Sequence, residues 1–362
     1  MSTEILLVAG ARPNFMKIAP VTRALRADGR LRGTLVHTGQ HYDPAMSAVF
    51  FQQLGIPEPD VHLGVGSGSH AKQTAEIMLG IEPVLLERKP AAVLVVGDVN
   101  STVAASLVAV KLGIPVAHVE AGLRSFDRSM PEEINRIVTD ALSSWLFVSE
   151  RSGLENLRRE GLDDAKVHFT GNVMIDTLLR FRAAAEALDM PGQLGLKAGG
   201  YAVVTLHRPS NVDDPAELRS RMLPVVELAK TMPVLFPVHP RTKQALLDAG
   251  ISADGGLRLL APLGYLEFLG LMSAAALVLT DSGGIQEETT VLGVPCVTMR
   301  TSTERPITIE QGTNRLAGVA PKAVQRAIAE ALAAPKSSRV PELWDGRAAE
   351  RIVGILARDL RG

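Results

Sequence analysis

Four side chains that can exchange protons stand where strands are predicted to end. Asp98 follows VLVVG, Glu120 lies in AHVEAG, His207 closes VVTLH, and Glu132 stands in MPEEINR. Parallel strands present their carboxyl ends at one edge of a sheet, where α/β proteins bind ligands. The set could therefore perform general acid–base chemistry. Singly, each has a plainer interpretation: Asp98 as a helix cap, Glu132 as a first-turn carboxylate and His207 as a polar strand end.

The stretch TDSGGIQEE (280–288) follows an apolar run and predicts a strand that enters a helix N-terminus. Free backbone amides and the helix dipole make such an end a phosphate site. Gly283 and Gly284 allow a ligand to approach the backbone, and Ser282 can cap the helix or bind an oxygen. Glu288, about one turn later, could accept hydrogen bonds from ribose hydroxyls. An ordinary strand–helix turn with a capping serine explains this stretch equally well.

Two cations follow the first predicted strand in GARPNFMK, where Arg12 lies in the loop and Lys17 in the next helix. Both could face an anion. The sequence has no Asp-x-Asp motif and no His or Cys ligand spacing, so we expect neither a metal nor another cofactor. Cys296, the one cysteine, lies in an apolar run and is expected to be a buried strand residue without a disulfide.

Composition limits the class of protein. The chain has 362 residues, of which 46% are hydrophobic and 21% charged, and a net charge of −1. This charge gives no electrostatic case for a nucleic-acid or anionic-membrane partner. No apolar run approaches the roughly 18 residues of a membrane span. The first residues have no basic region before an apolar run, so no signal peptide is predicted. We expect a soluble, cytoplasmic protein.

Short apolar runs alternate with helical patterns, which predicts an α/β fold with parallel sheets. The alternation stops in the glycine-rich segment 192–200 and then restarts. We therefore expect two Rossmann-like, doubly wound domains with a cleft between them. The predicted strands are 5–9, 35–37, 93–96, 116–119, 146–148, 201–206, 234–238, 257–260 and 277–280. The predicted helices are 16–27, 44–54, 71–86, 102–112, 131–142, 152–160, 172–189, 215–230, 242–249 and 265–274.

Nine motifs in order make the chain resemble the non-hydrolysing UDP-N-acetylglucosamine 2-epimerases. They are GARPNFMKIAP, TGQHYD, VVGDVNST, HVEAGLRS, MPEEINR, VTLHRPSNVD, PVHPRT, TDSGGIQEE and TERPIT. The resemblance implies a GT-B-like fold of two Rossmann-like domains, a homodimer, and a C-terminal helix that packs back on the first domain. We accordingly expect domains at 1–175 and 176–339, with 340–362 returning to the first.

The resemblance also implies an isomerase that interconverts UDP-GlcNAc and UDP-ManNAc. UDP leaves C1 as a proton leaves C2, and it re-adds to the bound 2-acetamidoglucal with the proton on the other face. Asp98, Glu120 and Glu132 match the family's three catalytic carboxylates, and His207 matches the histidine at the diphosphate. Glu132 is preferred to Glu133 because it directly follows Pro131. The matching UDP and sugar positions are Arg12, Lys17, Phe268, Ser282, Gly283, Gly284, Glu288 and Arg305.

Three departures leave the exact sugar open. Common bacterial members have GTRPE and HRREN where this chain has GARPN, with Asn14, and HRPSN, and the segment 63–70 also differs. A modified sugar, such as a 2,3-diacetamido uronic acid nucleotide, is one alternative. Gln40, His41, Arg208 and His239 match parts of a regulatory UDP-GlcNAc site of some members. Other readings are a hydrolysing relative, a GT-B glycosyltransferase and a sugar-nucleotide sensor. The pathway implied is polysaccharide precursor synthesis.

Overall fold

The computed structural model describes residues 3–40, 52–238, 240–253, 255–334 and 339–360, without the side chains of residues 12, 209–210 and 240–241. The predicted helix 44–54 falls mostly outside these residues. The chain divides into two compact units. Unit 1 comprises Met1–Thr177 and Glu342–Gly362, and unit 2 comprises Leu178–Pro341. The division after Thr177 stands two residues beyond the boundary that the sequence predicts.

In the described part of unit 1, seven parallel strands form one sheet in the order β3-β2-β1-β4-β5-β6-β7. Strand β4 is a short run of aliphatic residues, as is β1 after its first two residues, and β4 is buried along its whole length. Such continuous apolar runs are typical of strands covered on both faces. The strands are β1 Thr3–Ala9, β2 Leu31–His37, β3 Val61–His62, β4 Ala92–Val96, β5 Val116–Ala121, β6 Trp145–Val148 and β7 Val167–Phe169.

The helices of unit 1 connect these strands and include one from the C-terminal segment. They are α1 Arg12–Asp28, α2 His70–Arg88, α3 Asn100–Lys111, α4 Pro131–Leu142, α5 Arg151–Arg159 and, numbered after the helices of unit 2, α15 Ala348–Asp359. Helix α6, Val173–Ala187, begins in unit 1 and continues past Thr177 into unit 2. Helix α15 packs on α1, and Asp176 accepts hydrogen bonds from the backbone amides of Ala348 and Ala349 at 3.1 and 2.8 Å. A side chain of unit 1 thus caps the N-terminus of α15.

In the described part of unit 2, six parallel strands form a second sheet in the order β10-β9-β8-β11-β12-β13. The strands are β8 Ala202–Thr205, β9 Val234–Pro237, β10 Leu257–Leu260, β11 Leu277–Thr280, β12 Cys296–Thr298 and β13 Asn314–Leu316. The helices are α7 Met190–Gln193, α8 Pro209–Val212, α9 Pro215–Ala229, α10 Pro240–Asp248, α11 Tyr265–Ser273, α12 Gly283–Leu292, α13 Ile307–Glu310 and α14 Pro321–Ala333.

The prediction of two parallel-sheet α/β units is confirmed. Strands β3, β7 and β13 were not predicted from the sequence. Each has two or three residues and lies at the edge of its sheet, so it lacks the apolar run that marks a central strand. Across the described residues, no helix combines the length and apolar character needed to cross a membrane.

Candidate functional site

The carboxyl edge of the unit 1 sheet carries the three predicted carboxylates. Asp98 lies in the turn after β4, Glu120 is the last residue but one of β5, and these strands are parallel neighbours. Glu132 is the second residue of α4. From the same helix, Asn135 donates its side-chain amide to the backbone oxygen of Asp98 at 2.9 Å. The structure therefore brings together the segments that carry the three carboxylates.

Glu120 has an unusual backbone conformation. Its φ angle is 74°, in the left-handed region, and the register of β5 against β6 shifts between Val119 and Ala121. A non-glycine residue in this region costs on the order of 1–3 kcal/mol and persists only where its surroundings hold it. The buried Glu120 carboxylate pairs with the buried ammonium of Lys17. Gly97 leaves room for this pair, because a Cβ there would lie 3.0 Å from the Lys17 Nζ.

Arg136 connects two carboxylates. The buried guanidinium forms an ion pair with Asp98, whose side chain is 28% exposed. It also donates from Nε and Nη2 to the Glu133 carboxylate at 3.0 and 2.5 Å. Since Arg136 lies one turn after Glu132 on α4, the same helix contributes a carboxylate and fixes the position of another.

The adjacent residues Glu132 and Glu133 have opposite environments. Glu133 is 1% exposed and accepts hydrogen bonds from the Ser125 amide, the Ser125 hydroxyl and the Phe126 amide at 2.9–3.0 Å. Burial alone raises the pKa of Glu133, but the Ser125 amide and Arg136 outweigh it, and the pKa is lowered. Glu132 is half-buried, and no described side chain makes a hydrogen bond or ion pair with it. Glu133 therefore holds a loop, whereas Glu132 is available to a ligand.

Asn14, where common family members have glutamate, joins the loop after β1 to the end of β4. Its Oδ1 accepts from the amides of Gly10 and Ala11 at 3.1 and 3.0 Å, and its Nδ2 donates to the Val96 oxygen at 3.1 Å. An ionised carboxylate could accept the first two bonds but could not donate the third. The departure at this position thus has a local structural reason.

The remaining predicted residues of unit 1 are only partly described. Arg12 is the first residue of α1, and its side chain lies outside the described part. Gln40 is buried and its Oε1 accepts from the amide and hydroxyl of Ser101 at 3.0 and 2.8 Å, so it fixes the start of α3. His41 lies outside the described residues, as does His239 of unit 2.

In unit 2, Asp281 is the centre of a hydrogen-bonded cluster at the ends of β8 and β11. Its buried carboxylate pairs with the Nδ1 of His207 at 2.8 Å and accepts from the amide of Arg208 and the side chain of Asn211 at 2.9 and 3.0 Å. The Arg208 Nε donates to the Asp281 backbone oxygen at 3.0 Å. Burial alone raises the pKa of Asp281, but these donors lower it to about 2. The His207 side chain is 63% exposed.

The glycine-rich turn of unit 2 connects β11 to α12. Ser282 is the N-cap residue in an extended conformation, and within the described residues its side chain makes no capping hydrogen bond. Its amide instead donates to the Thr280 hydroxyl at 3.0 Å. Gly283 and Gly284 are the first two residues of α12. The serine at this helix end is therefore not a side-chain cap, and the first backbone amides of α12 have no partner within their own helix.

Glu288 lies deeper in unit 2 than the sequence indicates. It is 2% exposed, and its Oε1 accepts a hydrogen bond from the Tyr265 hydroxyl at 3.0 Å. Burial raises the pKa of Glu288 to about 8, so this side chain is largely protonated at neutral pH. Phe268 is half-buried on α11, the helix that begins with Tyr265.

Arg305 lies directly against the turn. A Cβ on Gly283 would lie 2.4 Å from its Nη1, so a larger residue there would displace the Arg305 guanidinium. The guanidinium is buried and pairs with Glu287 at 2.7 Å and with Glu304 at 2.5 Å. The Arg305 guanidinium thus lies beside the helix N-terminus, and the two carboxylates that pair with it fix its orientation.

Three residues of these clusters were missed by the sequence reasoning: Arg136, Asp281 and Tyr265. Arg136 and Asp281 belong to the motifs MPEEINR and TDSGG, and they lie within four residues of predicted site residues. That spacing was the available signal for both. Tyr265 lies 23 positions before Glu288, so only the tertiary structure pairs them.

Two parallel-sheet units, one with clustered carboxylates and one with an open helix N-terminus beside a histidine, define a GT-B-like class of nucleotide-sugar enzyme. Known proteins agree with this class. A family model described as UDP-N-acetylglucosamine 2-epimerase matches residues 23–357. The UDP-N-acetylglucosamine 2-epimerase of Methanocaldococcus jannaschii is 40% identical over 362 residues, 98% of each chain.

Two further comparisons bear on the family. The UDP-2,3-diacetamido-2,3-dideoxy-D-glucuronate 2-epimerase of Pseudomonas aeruginosa is 41% identical over 359 residues, which are 98% of this chain and 99% of the relative. A crystal structure of the M. jannaschii UDP-GlcNAc 2-epimerase in complex with UDP-GlcNAc and UDP superposes with a TM-score of 0.92, covering 98% of this chain and 100% of that one. The chain belongs to the UDP-N-acetylglucosamine 2-epimerase family and is an isomerase.

Proposed function

We propose that this protein interconverts UDP-GlcNAc and UDP-ManNAc by inverting C2 of the sugar. The observation that carries the proposal is the 40% identity, over 98% of each chain, to a UDP-N-acetylglucosamine 2-epimerase. The structure of the M. jannaschii enzyme with UDP-GlcNAc and UDP supports a UDP-sugar ligand for this chain as well.

Inversion at C2 proceeds by elimination and re-addition, because no carbonyl activates the C2 hydrogen. A base takes the C2 proton, its bonding electrons form the C1–C2 double bond, and the C1–O bond breaks with its electron pair leaving on UDP. The product is bound 2-acetamidoglucal. In the reverse step UDP adds to C1 while an acid delivers a proton to the other face of C2. The reaction needs general acid–base groups and electrostatic stabilisation of the leaving diphosphate.

Unit 1 supplies the acid–base groups in this proposal. Asp98 follows β4, Glu120 lies near the end of the neighbouring strand β5, and Glu132 lies in the first turn of α4. Two carboxylates have a fixed cationic partner, Arg136 for Asp98 and Lys17 for Glu120, which limits the positions of their oxygens. One carboxylate takes the C2 proton and another returns a proton to the opposite face. Because the reaction is reversible and either C2 epimer serves as substrate, the carboxylate that is the base in one direction is the acid in the other.

Unit 2 supplies the nucleotide site. The amides at the start of α12 suit a diphosphate because their N–H dipoles attract an anion, and the exposed ring of His207 can donate a hydrogen bond to it. Asp281 orients His207 through Nδ1, which directs the Nε2 away from it. We assign Glu288 to the ribose and Phe268 to the uracil. The further assigned UDP and sugar positions are Arg12, Lys17, Ser282, Gly283, Gly284 and Arg305.

A 2,3-diacetamido uronic acid nucleotide is the second candidate substrate. The P. aeruginosa epimerase of that sugar is 41% identical, practically the same as the M. jannaschii enzyme. Of the departures from common members, Asn14 has a structural explanation, which leaves 63–70 and 209–210 as positions where sugar specificity would differ.

The proposal further includes a homodimer, a cytoplasmic location and a role in polysaccharide precursor synthesis. These three properties rest on the resemblance of the sequence motifs.

The test compares the two nucleotide sugars with one enzyme preparation. Purified protein is incubated separately with UDP-GlcNAc and with the UDP-diacetamido-glucuronate, and the anomeric protons are followed by NMR. We expect UDP-ManNAc from the first at the higher kcat/KM. A higher kcat/KM for the uronate would show that the 2,3-diacetamido uronic acid nucleotide is the preferred substrate. Free ManNAc and UDP as the main products would identify a hydrolysing enzyme.

A further inference from the structure

A buried pair of a histidine and an aspartate joins the three carboxylate-bearing segments of unit 1. His118 of β5 and Asp140 of α4 are both 0% exposed, and their Nδ1 and Oδ1 are 2.6 Å apart. The other ring nitrogen of His118, Nε2, donates to the backbone oxygen of Gly97 at 2.9 Å. Both ring nitrogens therefore face oxygen acceptors, and the ring is held on two sides.

The pair contacts all three segments. Gly97 directly precedes Asp98, so the His118 ring fixes the end of β4. His118 itself lies two residues before Glu120 on β5. Helix α4, which provides Asp140, carries Glu132 eight residues earlier in the sequence. One buried contact thus links the turn after β4, the end of β5 and helix α4.

Asp140 also holds the chain just beyond Glu120. Its Oδ2 accepts from the Gly122 amide at 3.1 Å and pairs with the Arg124 Nη2 at 2.7 Å. The pKa of Asp140 is lowered by His118 and Arg124, although burial by itself raises it. The left-handed backbone of Glu120 is therefore clamped at residue 118 on one side and residue 122 on the other. Such a conformation persists only where the surroundings hold it.

Stability alone gives a weak reason for this arrangement. Buried ion pairs lose solvation, and well-packed apolar residues of similar volume often leave the fold as stable or make it more stable. What an apolar pair cannot provide is a set of directional bonds to Gly97 and Gly122. The pair is therefore best explained by the position of the carboxylates.

We propose that His118 and Asp140 are positioning residues that set the relative positions of Asp98, Glu120 and Glu132 and so keep the elimination and re-addition on one bound intermediate. This inference rests on the proposed epimerase function. A shift of about 1 Å in a reacting group can cost about 100-fold in rate. Misplaced carboxylates would slow protonation of the glycal, and the intermediate would then leave the enzyme together with UDP before re-addition.

The experiment measures a ratio: UDP and 2-acetamidoglucal released per epimer formed, with UDP-GlcNAc as substrate. Both products come from the same folded molecules, so the ratio does not depend on the folded fraction. D140A is expected to raise it about tenfold or more and to lower kcat by a similar factor. In D140N the new amide can donate to the His118 Nδ1, and we expect a ratio between those of D140A and wild type.

E4Q is the matched control. Glu4 lies in β1 near the amino end of the strands and accepts from the Thr34 hydroxyl at 2.5 Å and from Arg32 at 2.9 Å. Its replacement removes a hydrogen-bonded carboxylate of the same unit, at the amino ends of the strands and away from the three carboxylates. We expect a lower melting temperature, because the variant loses these bonds. Tryptophan fluorescence measures it, since both tryptophans, Trp145 and Trp344, belong to unit 1. We expect an unchanged product ratio.

A wild-type ratio and a wild-type kcat in D140A and D140N would overturn the inference, and so would an equal rise of the ratio in E4Q. If D140A does not fold, D140N alone decides, with the same two outcomes. Absence of epimer from the wild-type enzyme, with either nucleotide sugar, would instead refute the proposed function and this inference with it. The wild-type reaction therefore distinguishes a failure of the proposed epimerase function from a failure of the positioning role.

Discussion

Glu132 and Glu133 differ in environment although they are adjacent, so their separate replacement by glutamine tests the assignment of the third carboxylate. The structure gives Glu133 a structural position, since it is bonded to Ser125, Phe126 and Arg136. Glu132 is half-buried and starts α4 at the sheet edge that carries Asp98. We expect E133Q to lose stability and E132Q to lose turnover.

The magnitude for E133Q follows from its bonds. Glutamine keeps one acceptor oxygen and places an amide where the carboxylate accepted from Arg136 at 2.5 Å. Removing one partner of a buried ion pair costs about 3–5 kcal/mol. With an m-value of about 2–3 kcal/mol/M in urea, the unfolding midpoint would fall by about 1–2.5 M. E132Q breaks no bond of this kind, so its unfolding free energy should stay within about 0.5 kcal/mol of wild type.

Tryptophan fluorescence reports the unfolding of unit 1 in the urea titration. Trp145 and Trp344 both belong to unit 1, and Trp344 is 1% exposed and donates its Nε1 to the Ser149 oxygen at 2.8 Å. Turnover is measured by NMR at saturating UDP-GlcNAc, and UDP binding by calorimetry. E132Q should lose about 100-fold or more in kcat, the usual effect of a general acid or base, and retain UDP binding.

Two results would refute the reasoning. If E132Q destabilises unit 1 as much as E133Q does, Glu132 has structural bonds that the assignment does not allow. If E132Q turns over at the wild-type rate while E133Q is stable and inactive, then Glu133 is the functional carboxylate.

Three further predictions concern buried polar groups. D281N should lower the free energy of unfolding, measured by circular dichroism near neutral pH, by about 2–3 kcal/mol. The pKa of Asp281 falls from 3.8 to about 2 on folding, and each pKa unit corresponds to about 1.36 kcal/mol. An effect below about 0.5 kcal/mol would contradict this prediction. The pKa of Glu288 rises from 4.5 to about 8 on folding, so its contribution to the free energy of unfolding is complete below pH 4.5 and is lost as the pH rises to 8. Wild type should therefore lose stability relative to E288Q between these two pH values. Parallel pH profiles of the unfolding free energy would contradict this prediction. N14D should cost about 1–3 kcal/mol in urea unfolding, since aspartate cannot donate to Val96; a neutral N14D would show that this bond contributes nothing.

Much of the fold could be predicted because local patterns determine it. The run 93–96 is wholly aliphatic and the run 277–280 is aliphatic up to its last residue, Thr280, and they form the central strands β4 and β11. Helix α4 was predicted with its observed bounds, since Pro131 suits the first helical turn and two acidic residues follow it. Edge strands such as β3 carry no comparable signal.

The candidate site could be predicted as a set of motifs but not as a set of contacts. The sequence indicates which carboxylates follow strands, yet nothing in it pairs Lys17 with Glu120 or Tyr265 with Glu288, because these contacts join distant parts of the chain. For Glu288 the interpretation as an accessible carboxylate omitted burial, which changes its protonation state. The local periodicity of a sequence carries no such long-range information.

Proton NMR of the enzyme with UDP-GlcNAc in D2O tests the central claim, that C2 is inverted through loss and return of a proton, most directly. The account predicts that UDP-ManNAc forms reversibly and that deuterium appears at C2 of both nucleotide sugars. UDP-ManNAc that retains the original hydrogen at C2 would contradict it.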